Sequence, residues 1–103
     1  MVAERGEIWW ADGRPVLVVQ ADAFNQSTIA TVVIAVMTTN LDLATAPGNV
    51  IITSGDSGLP RDSVVNISQL LTIDKSALID RAGRVPFPLL QHIDDGMRLV
   101  LSL

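Results

Sequence analysis

The sequence predicts a mainly β fold with one α-helix, a small curled sheet or barrel of five to seven short strands against which a C-terminal helix packs. Three observations carry this. Short β-branched runs alternate with Gly, Pro, Asn and Asp turn signals through most of the chain. Asp12-Gly13 stands between two apolar runs, the strongest short hairpin signal, and favours a type I′ turn. Only in "PLLQHIDDGMRLVLSL" does the apolar period become helical.

The elements follow in order. Glu7–Ala11 and Pro15–Gln20 read as the two strands of the hairpin. "ADAFNQST" is a polar connector with one apolar anchor, Phe24. Thr31–Met37 (TVVIAVM) is nearly continuous and β-branched, as a central strand buried on both faces should be. "TTNLDLATAPG" is a loop, with turn chemistry at Asn40 and Pro47-Gly48. Val50–Thr53 is a short strand, "SGDSGLPRD" a loop, Ser63–Ile67 a strand and Leu70–Ile73 another. "IDKSALID" reads as a strand leading into one helical turn. In the terminal segment Leu89, Leu90, Ile93, Met97, Val100 and Leu101 fall on one helical face, and Pro86 and Pro88 suit its first turn. Gly96 costs this helix about 1 kcal/mol against alanine.

Composition narrows the function. The chain has 103 residues, which predicts a single domain spanning 1–103. The apolar fraction is 49% with only two Phe and two Trp, so the core must be aliphatic, and surplus apolar surface predicts a dimer. There is no cysteine, which excludes disulfides and thiolate metal sites. The N-terminus carries charges where a signal peptide needs an apolar stretch, and no apolar run reaches the ~20 residues of a membrane span. A soluble, cytoplasmic protein with no membrane association is expected. The net charge of −4 argues against indiscriminate nucleic-acid binding. No Lys or Arg occurs between Pro15 and Pro60, so a phosphate near the first half of the chain must rely on Arg14, Arg5 or neutral donors.

Cofactor chemistry finds no purchase. The chain lacks Gly-x-Gly-x-x-Gly and the P-loop, "SGDSG" lies between β segments, and "GDS" is no nucleophile elbow. His92 reads as a solvated helix residue, with Asp94 and Asp95 on a wet face beside it. The acidic residues lack metal-ligand spacing, so neither metal nor cofactor is expected. Arg14 is different. Pro15 fixes its own φ and drives the residue before it into an extended conformation, so the guanidinium leaves the backbone at a defined place. Such a planar, permanent cation suits bidentate phosphate contact, and equally could pair with Asp12 across the turn. "MTTN" ends the buried strand with hydrogen-bonding side chains that could hold a phosphate or a base edge, or simply cap the loop.

Five segments, in order, resemble the MazF/PemK family of bacterial toxins from type II toxin–antitoxin systems: "RGEIWWAD", "RPVLVVQ" with "FNQS" following, "TVVIAVMTTN", "LPRDSVVNISQLLTIDK" and "VPFPLLQHIDDGMRLVLSL". The resemblance implies a small SH3-like β-barrel with a C-terminal helix, assembled as a homodimer. It implies an endoribonuclease that cuts single-stranded RNA without metal, the 2′-hydroxyl attacking its neighbouring phosphate to leave 2′,3′-cyclic phosphate and 5′-hydroxyl ends. It also implies a cognate antitoxin whose C-terminal tail binds the groove between subunits. The family's catalytic Arg and Thr correspond to Arg14 and Thr38. Thr39, Asn40, Ser68 and Gln69 correspond to positions that border the RNA. Two departures stand out: family members usually carry a longer mobile loop where this chain has only Asp12-Gly13, and some plasmid-borne members have Arg and Asp where this chain has Asn66 and Ser68. A non-catalytic or weakly catalytic RNA- or antitoxin-binding module is the alternative reading. A CcdB-like gyrase-binding toxin is another, although the end Leu101-Ser102-Leu103 lacks that protein's Trp-Gly-Ile terminus.

Overall fold

The computed structural model describes residues 2–103. Six antiparallel strands form one sheet: β1 (Glu7–Ala11), β2 (Arg14–Val18), β3 (Thr31–Thr38), β4 (Val50–Ile52), β5 (Ser63–Asp74) and β6 (Leu78–Arg84), in the order β4-β5-β3-β2-β1-β6. Three helices accompany them: α1 (Asp22–Asn25), α2 (Ser54–Ser57) and α3 (Phe87–Leu101). Two 3-10 turns, Leu41–Thr45 and Lys75–Ala77, complete the fold.

The β1–β2 turn is the one the sequence calls for. Asp12 and Gly13 both have positive φ, 53° and 75°, as type I′ requires. The ladder runs Ile8↔Leu17, Trp9↔Val16, Trp10↔Pro15, Ala11↔Arg14.

The sheet is open in its hydrogen bonding yet strongly curled, and its connectivity shows why. β5 and β6 are four strand spacings apart in sheet order, about 19 Å if flat. Only Lys75–Ala77 joins them, and the four steps from Asp74 to Leu78 reach about 14 Å at most. The sheet must therefore bend until Asp74, opposite Thr31, lies within reach of Leu78, opposite Ala11. The segment between them crosses one face of the sheet.

That curl gives β3 a core on each side. On one face Ile8, Leu17, Ala35, Met37, Ile52, Val65, Ile67 and Ile93 form the larger core under α3. On the other Trp9, Ala11, Val16, Val18, Val32 and Ile34 pack together, with Ile73 and Leu78 against them. Each fully buried aliphatic side chain contributes roughly 1.5–3 kcal/mol.

Several expectations are corrected. Ser63–Ile67 and Leu70–Ile73 are one strand, broken only in register by a bulge. The segment read as a strand ending in a helical turn is the end of β5, a 3-10 turn and then β6, which pairs with β1. "SGDS" is a short helix because the Thr53 side chain accepts from the Asp56 N–H, capping its start. The apolar stripe of α3 stops at Met97; Val100 and Leu101 are exposed, as are Phe87, Leu99 and Leu103.

Polar ties fix the first residues. Arg5 donates through Nε to the Val19 carbonyl (2.9 Å) and pairs with Asp94 of α3 (2.6 Å), so Asp94 is half-buried rather than part of a wet face. The Arg5 N–H donates to Asp22 (2.7 Å), which holds that carboxyl below the ordinary aspartate value against the opposing effect of desolvation; Asn25 adds a second bond. Glu7 is buried, yet it accepts from the Glu4 N–H (2.7 Å) and the Trp9 indole (3.2 Å) and pairs with Arg81 (2.8 Å). His92 is exposed. No helix among the described residues is long and apolar enough to cross a membrane.

Candidate functional site

The β2–β3 ladder runs Val16↔Val36, Leu17↔Ala35, Val18↔Ile34. The ladder ends at Val16 and Val36; two residues beyond it on each strand stand Arg14, the first residue of β2, and Thr38, the last of β3. Positions two apart share a face, so Arg14 and Thr38 both lie on the side of Val16 and Val36. Neither residue's own neighbourhood reveals this nearness, because 23 residues of chain separate the two positions.

Arg14 is exposed and makes no ion pair among the described residues, with Asp12 or any other carboxylate. Most other cations are engaged. Arg5, Arg81, Arg84 and Arg98 pair with Asp94, Glu7, Glu4 and Asp95 respectively. Lys75 donates its three protons to the carbonyls of Phe24, Asn25 and Ser27 at 3.1, 3.1 and 3.0 Å. Among the described residues only Arg14 and Arg61 lack a partner. Arg14 and Asp12 sit beside a cavity of about 480 Å³ whose wall includes Val16, Ile34 and Val36. An unpaired guanidinium beside such a cavity is free to meet an anion from solution.

Thr38 is half-buried, and its Oγ1 accepts from the Asn40 N–H at 3.1 Å. The hydroxyl proton stays available for a ligand. Asn40 in turn accepts from the Asp42 N–H (3.2 Å), capping the 3-10 turn, so its carbonyl oxygen is already occupied. Thr39 is exposed and lines a separate cleft of about 420 Å³ with Leu41, Ser54, Pro60, Arg61 and Asp62.

Ser68 and Gln69 belong to the bulge of β5. Val36 pairs with Asn66 and Ala35 with Leu70, which leaves Ile67, Ser68 and Gln69 without partners in β3. Both are exposed, and they stand two to three residues down the sheet from Thr38, roughly 7–10 Å along the strand. The bulge is pinned by Asn49, whose Oδ1 accepts from the Ile67 N–H (2.9 Å) and whose Nδ2 donates to the Leu43 carbonyl (2.9 Å). Ser68 donates to Asn66 at 2.8 Å. Arg14 and Thr38 thus end neighbouring strands on one face, Thr39 and Asn40 follow β3, and Ser68 and Gln69 lie in the bulge of β5. The sequence does not single out Asn49 or Arg61; the one signal that touches Arg61 is that it ends the run without Lys or Arg from Pro15 to Pro60. Among the described residues no group of three or more His, Asp or Glu side chains could hold a metal ion.

The chain is similar to known proteins over its whole length. The family profile described as PemK-like, MazF-like toxin of type II toxin-antitoxin system matches residues 4–101. Endoribonuclease MazF6 of Mycobacterium tuberculosis is 46% identical over 114 aligned positions, covering 100% of both chains. That aligned length exceeds the 103 residues here, so the relative holds residues with no counterpart in this chain. Endoribonuclease EndoA of Bacillus subtilis is 31% identical, covering 100% of this chain and 97% of its own. A solved endoribonuclease from a mycobacterial species superposes with a TM-score of 0.86 at 29% identity, over 100% of this chain and 94% of that one. A mycobacterial endoribonuclease in complex with its cognate antitoxin gives 0.84 at 28%, over 98% and 96%.

Proposed function

The chain belongs to the PemK-like, MazF-like toxin family of type II toxin–antitoxin systems, and from that premise we propose that it is a toxin endoribonuclease which cuts single-stranded RNA with Arg14 and Thr38. It works as a homodimer in the cytoplasm and is neutralised by a cognate antitoxin whose tail occupies the RNA groove. The observation that carries the site is the unpaired Arg14 guanidinium at the start of β2, on the face and at the end of the sheet where Thr38 closes β3.

The chemistry follows from where charge develops. The 2′-oxygen of a ribose forms a bond to the adjacent phosphorus as it loses its proton. The bond to the 5′-oxygen of the next nucleotide breaks, and that oxygen takes up a proton. The products are a 2′,3′-cyclic phosphate and a 5′-hydroxyl, and no water enters this step. Negative charge on the non-bridging oxygens peaks in the phosphorane-like transition state. A preorganised guanidinium stabilises that state more than the ground state, which is what lowers the barrier. Arg14 acts as this electrostatic clamp and not as an acid, since a guanidinium keeps its proton throughout. The Thr38 hydroxyl, steadied by the Asn40 N–H, donates to a phosphate oxygen and sets the in-line geometry. Thr39, Asn40, Ser68 and Gln69 hold the flanking nucleotides. No metal is needed for these roles.

The test is end-mapping of a defined single-stranded RNA after incubation with the purified protein in EDTA. Discrete cuts bearing cyclic phosphate ends are expected, slowed about 10²–10³-fold in Arg14→Ala and also slowed in Thr38→Ala. Binding without cuts would overturn the catalytic reading in favour of an RNA-binding module, and cuts undiminished in Arg14→Ala would overturn the site.

A further inference from the structure

We propose that Arg61 forms a second phosphate-binding subsite, on the far side of β3 from Arg14, which holds the RNA strand away from the point of cleavage. The proposal rests on the endoribonuclease reading and extends its substrate path.

Four observations support it. Arg61 is the only described cation besides Arg14 without an ion-pair or hydrogen-bond partner. In a protein of net charge −4 that leaves two free guanidiniums to attract a polyanion. Both flank the same point. β3 lies between β2 and β5; Arg14 begins β2, and Arg61 precedes the start of β5 by two residues. Thr38 pairs with Val64, so the next position, Thr39, stands at Ser63. Arg61 precedes Val64, the partner of Thr38, by three residues, so the two arginines are offset by two strand spacings across the sheet, near 10 Å, and by up to about 10 Å along it, with Thr38 and Thr39 between them on opposite faces.

Arg61 also has a rigid base and an open front. Leu59 is buried, Pro60 limits the backbone, Asp62 accepts from the Ser54 N–H (2.8 Å), and the Ser63 hydroxyl donates to the Arg61 carbonyl (3.2 Å). The guanidinium itself is tied to nothing and opens on the 420 Å³ cleft shared with Thr39. Asp62 is the acidic group lining that cleft, and one of its oxygens is turned to the Ser54 N–H. A strand whose scissile phosphate lies on Arg14 and Thr38 can round the sheet's rim past Thr39 and place a phosphate further along on Arg61. This contact is blind to base identity, so it supplies affinity and direction rather than sequence choice.

The experiment measures binding of a 2′-O-methylated single-stranded RNA, which cannot be cut, to the full-length protein across a range of salt. Each neutralised phosphate contributes about 0.7 to the slope of log affinity against log salt on single strands. Arg61→Gln is expected to reduce the slope by about 0.7 and to weaken binding roughly eightfold at 50 mM salt, the deficit closing toward 1 M. Arg61→Lys keeps a point charge and should retain the slope, which a purely structural role would not explain. Arg98→Gln, on the exposed side of α3, should change neither quantity. Arg61→Gln with parental affinity and slope, in a protein that binds and cuts RNA, would overturn the subsite alone. A parent protein that neither binds nor cuts RNA would overturn the endoribonuclease reading and the subsite with it.

Discussion

Gly96 lies inside α3, where alanine is favoured over glycine by about 1 kcal/mol, so helix propensity alone would have Gly96→Ala stabilise the protein. Its surroundings reverse the sign. A Cβ on Gly96 would sit 2.2 Å from the Gly48 carbonyl oxygen, 3.0 Å from its carbon and 3.1 Å from its Cα. All three are backbone atoms, and Gly48 itself holds a φ of +83°, so no side chain can swing aside. The turn would have to lift from the helix by about 1 Å, enough to forfeit a quarter to a half of the dispersion attraction across the gap. Overpacking of this kind costs up to about 3 kcal/mol. Set against the gain in propensity, the net loss is about 2 kcal/mol, or a fall in Tm of about 8–16 °C for a chain of this size. The assay is thermal unfolding followed by circular dichroism at one fixed protein concentration, since any self-association makes the midpoint concentration-dependent. Gln91→Ala, at an exposed position of the same helix, should stay within about 0.5 kcal/mol of the parent. A Gly96→Ala protein as stable as the parent would refute the reasoning.

Asp22→Asn should flatten the acid limb of stability. The folded carboxyl is held below the ordinary aspartate value, chiefly by the Arg5 N–H, so its contribution is present above the unfolded value and disappears as pH falls through the folded one. Urea midpoints of parent and variant should therefore converge in acid. Asn49→Ala strips the Ile67 N–H of its acceptor, an expected loss of about 1–3 kcal/mol, and should speed amide exchange at Ile67, Ser68 and Gln69 more than in β1. Pro15→Ala frees the unfolded chain, lowering stability by roughly 0.4–1 kcal/mol. If the ring also steadies Arg14, kcat for RNA falls in this variant by a larger factor than KM rises; an unchanged kcat would show that the ladder alone aims the guanidinium.

What the sequence made legible was local. Asp12-Gly13 announces its turn because only a few residue pairs tolerate two positive φ angles in succession. The helical period through Met97 is legible because the face it describes is the one that packs. Less visible is β6: "LIDRAGR" mixes charges with a glycine, and its place depends on partners far away in the chain. Gly83 is required because a Cβ there would meet the Ser57 carbonyl oxygen at 2.3 Å, a contact made by α2. The single long β5 was hidden by Ser68 and Gln69, whose polarity reads as a break although they form a bulge. The site follows the same rule. Arg14 could be singled out from Pro15, but its nearness to Thr38 depends on how distant strands align, and Arg61 stands out only once the cations other than Arg14 have found their partners.

The short strap at Lys75–Ala77 turns the curled sheet into a hoop that opens as a whole. The strap tethers the Leu78 end of β6 to β5, and it is anchored by the Lys75 N–H on the Ala30 carbonyl (2.8 Å) and by the lysine's grip on the 24–27 segment. A single protease cut at Ser76 would therefore do more harm than one at Gly13. The first would let the seam between β1 and β6 part and uncover Trp9 and Val18, while the second would leave the hoop closed and merely split the hairpin that carries Arg14.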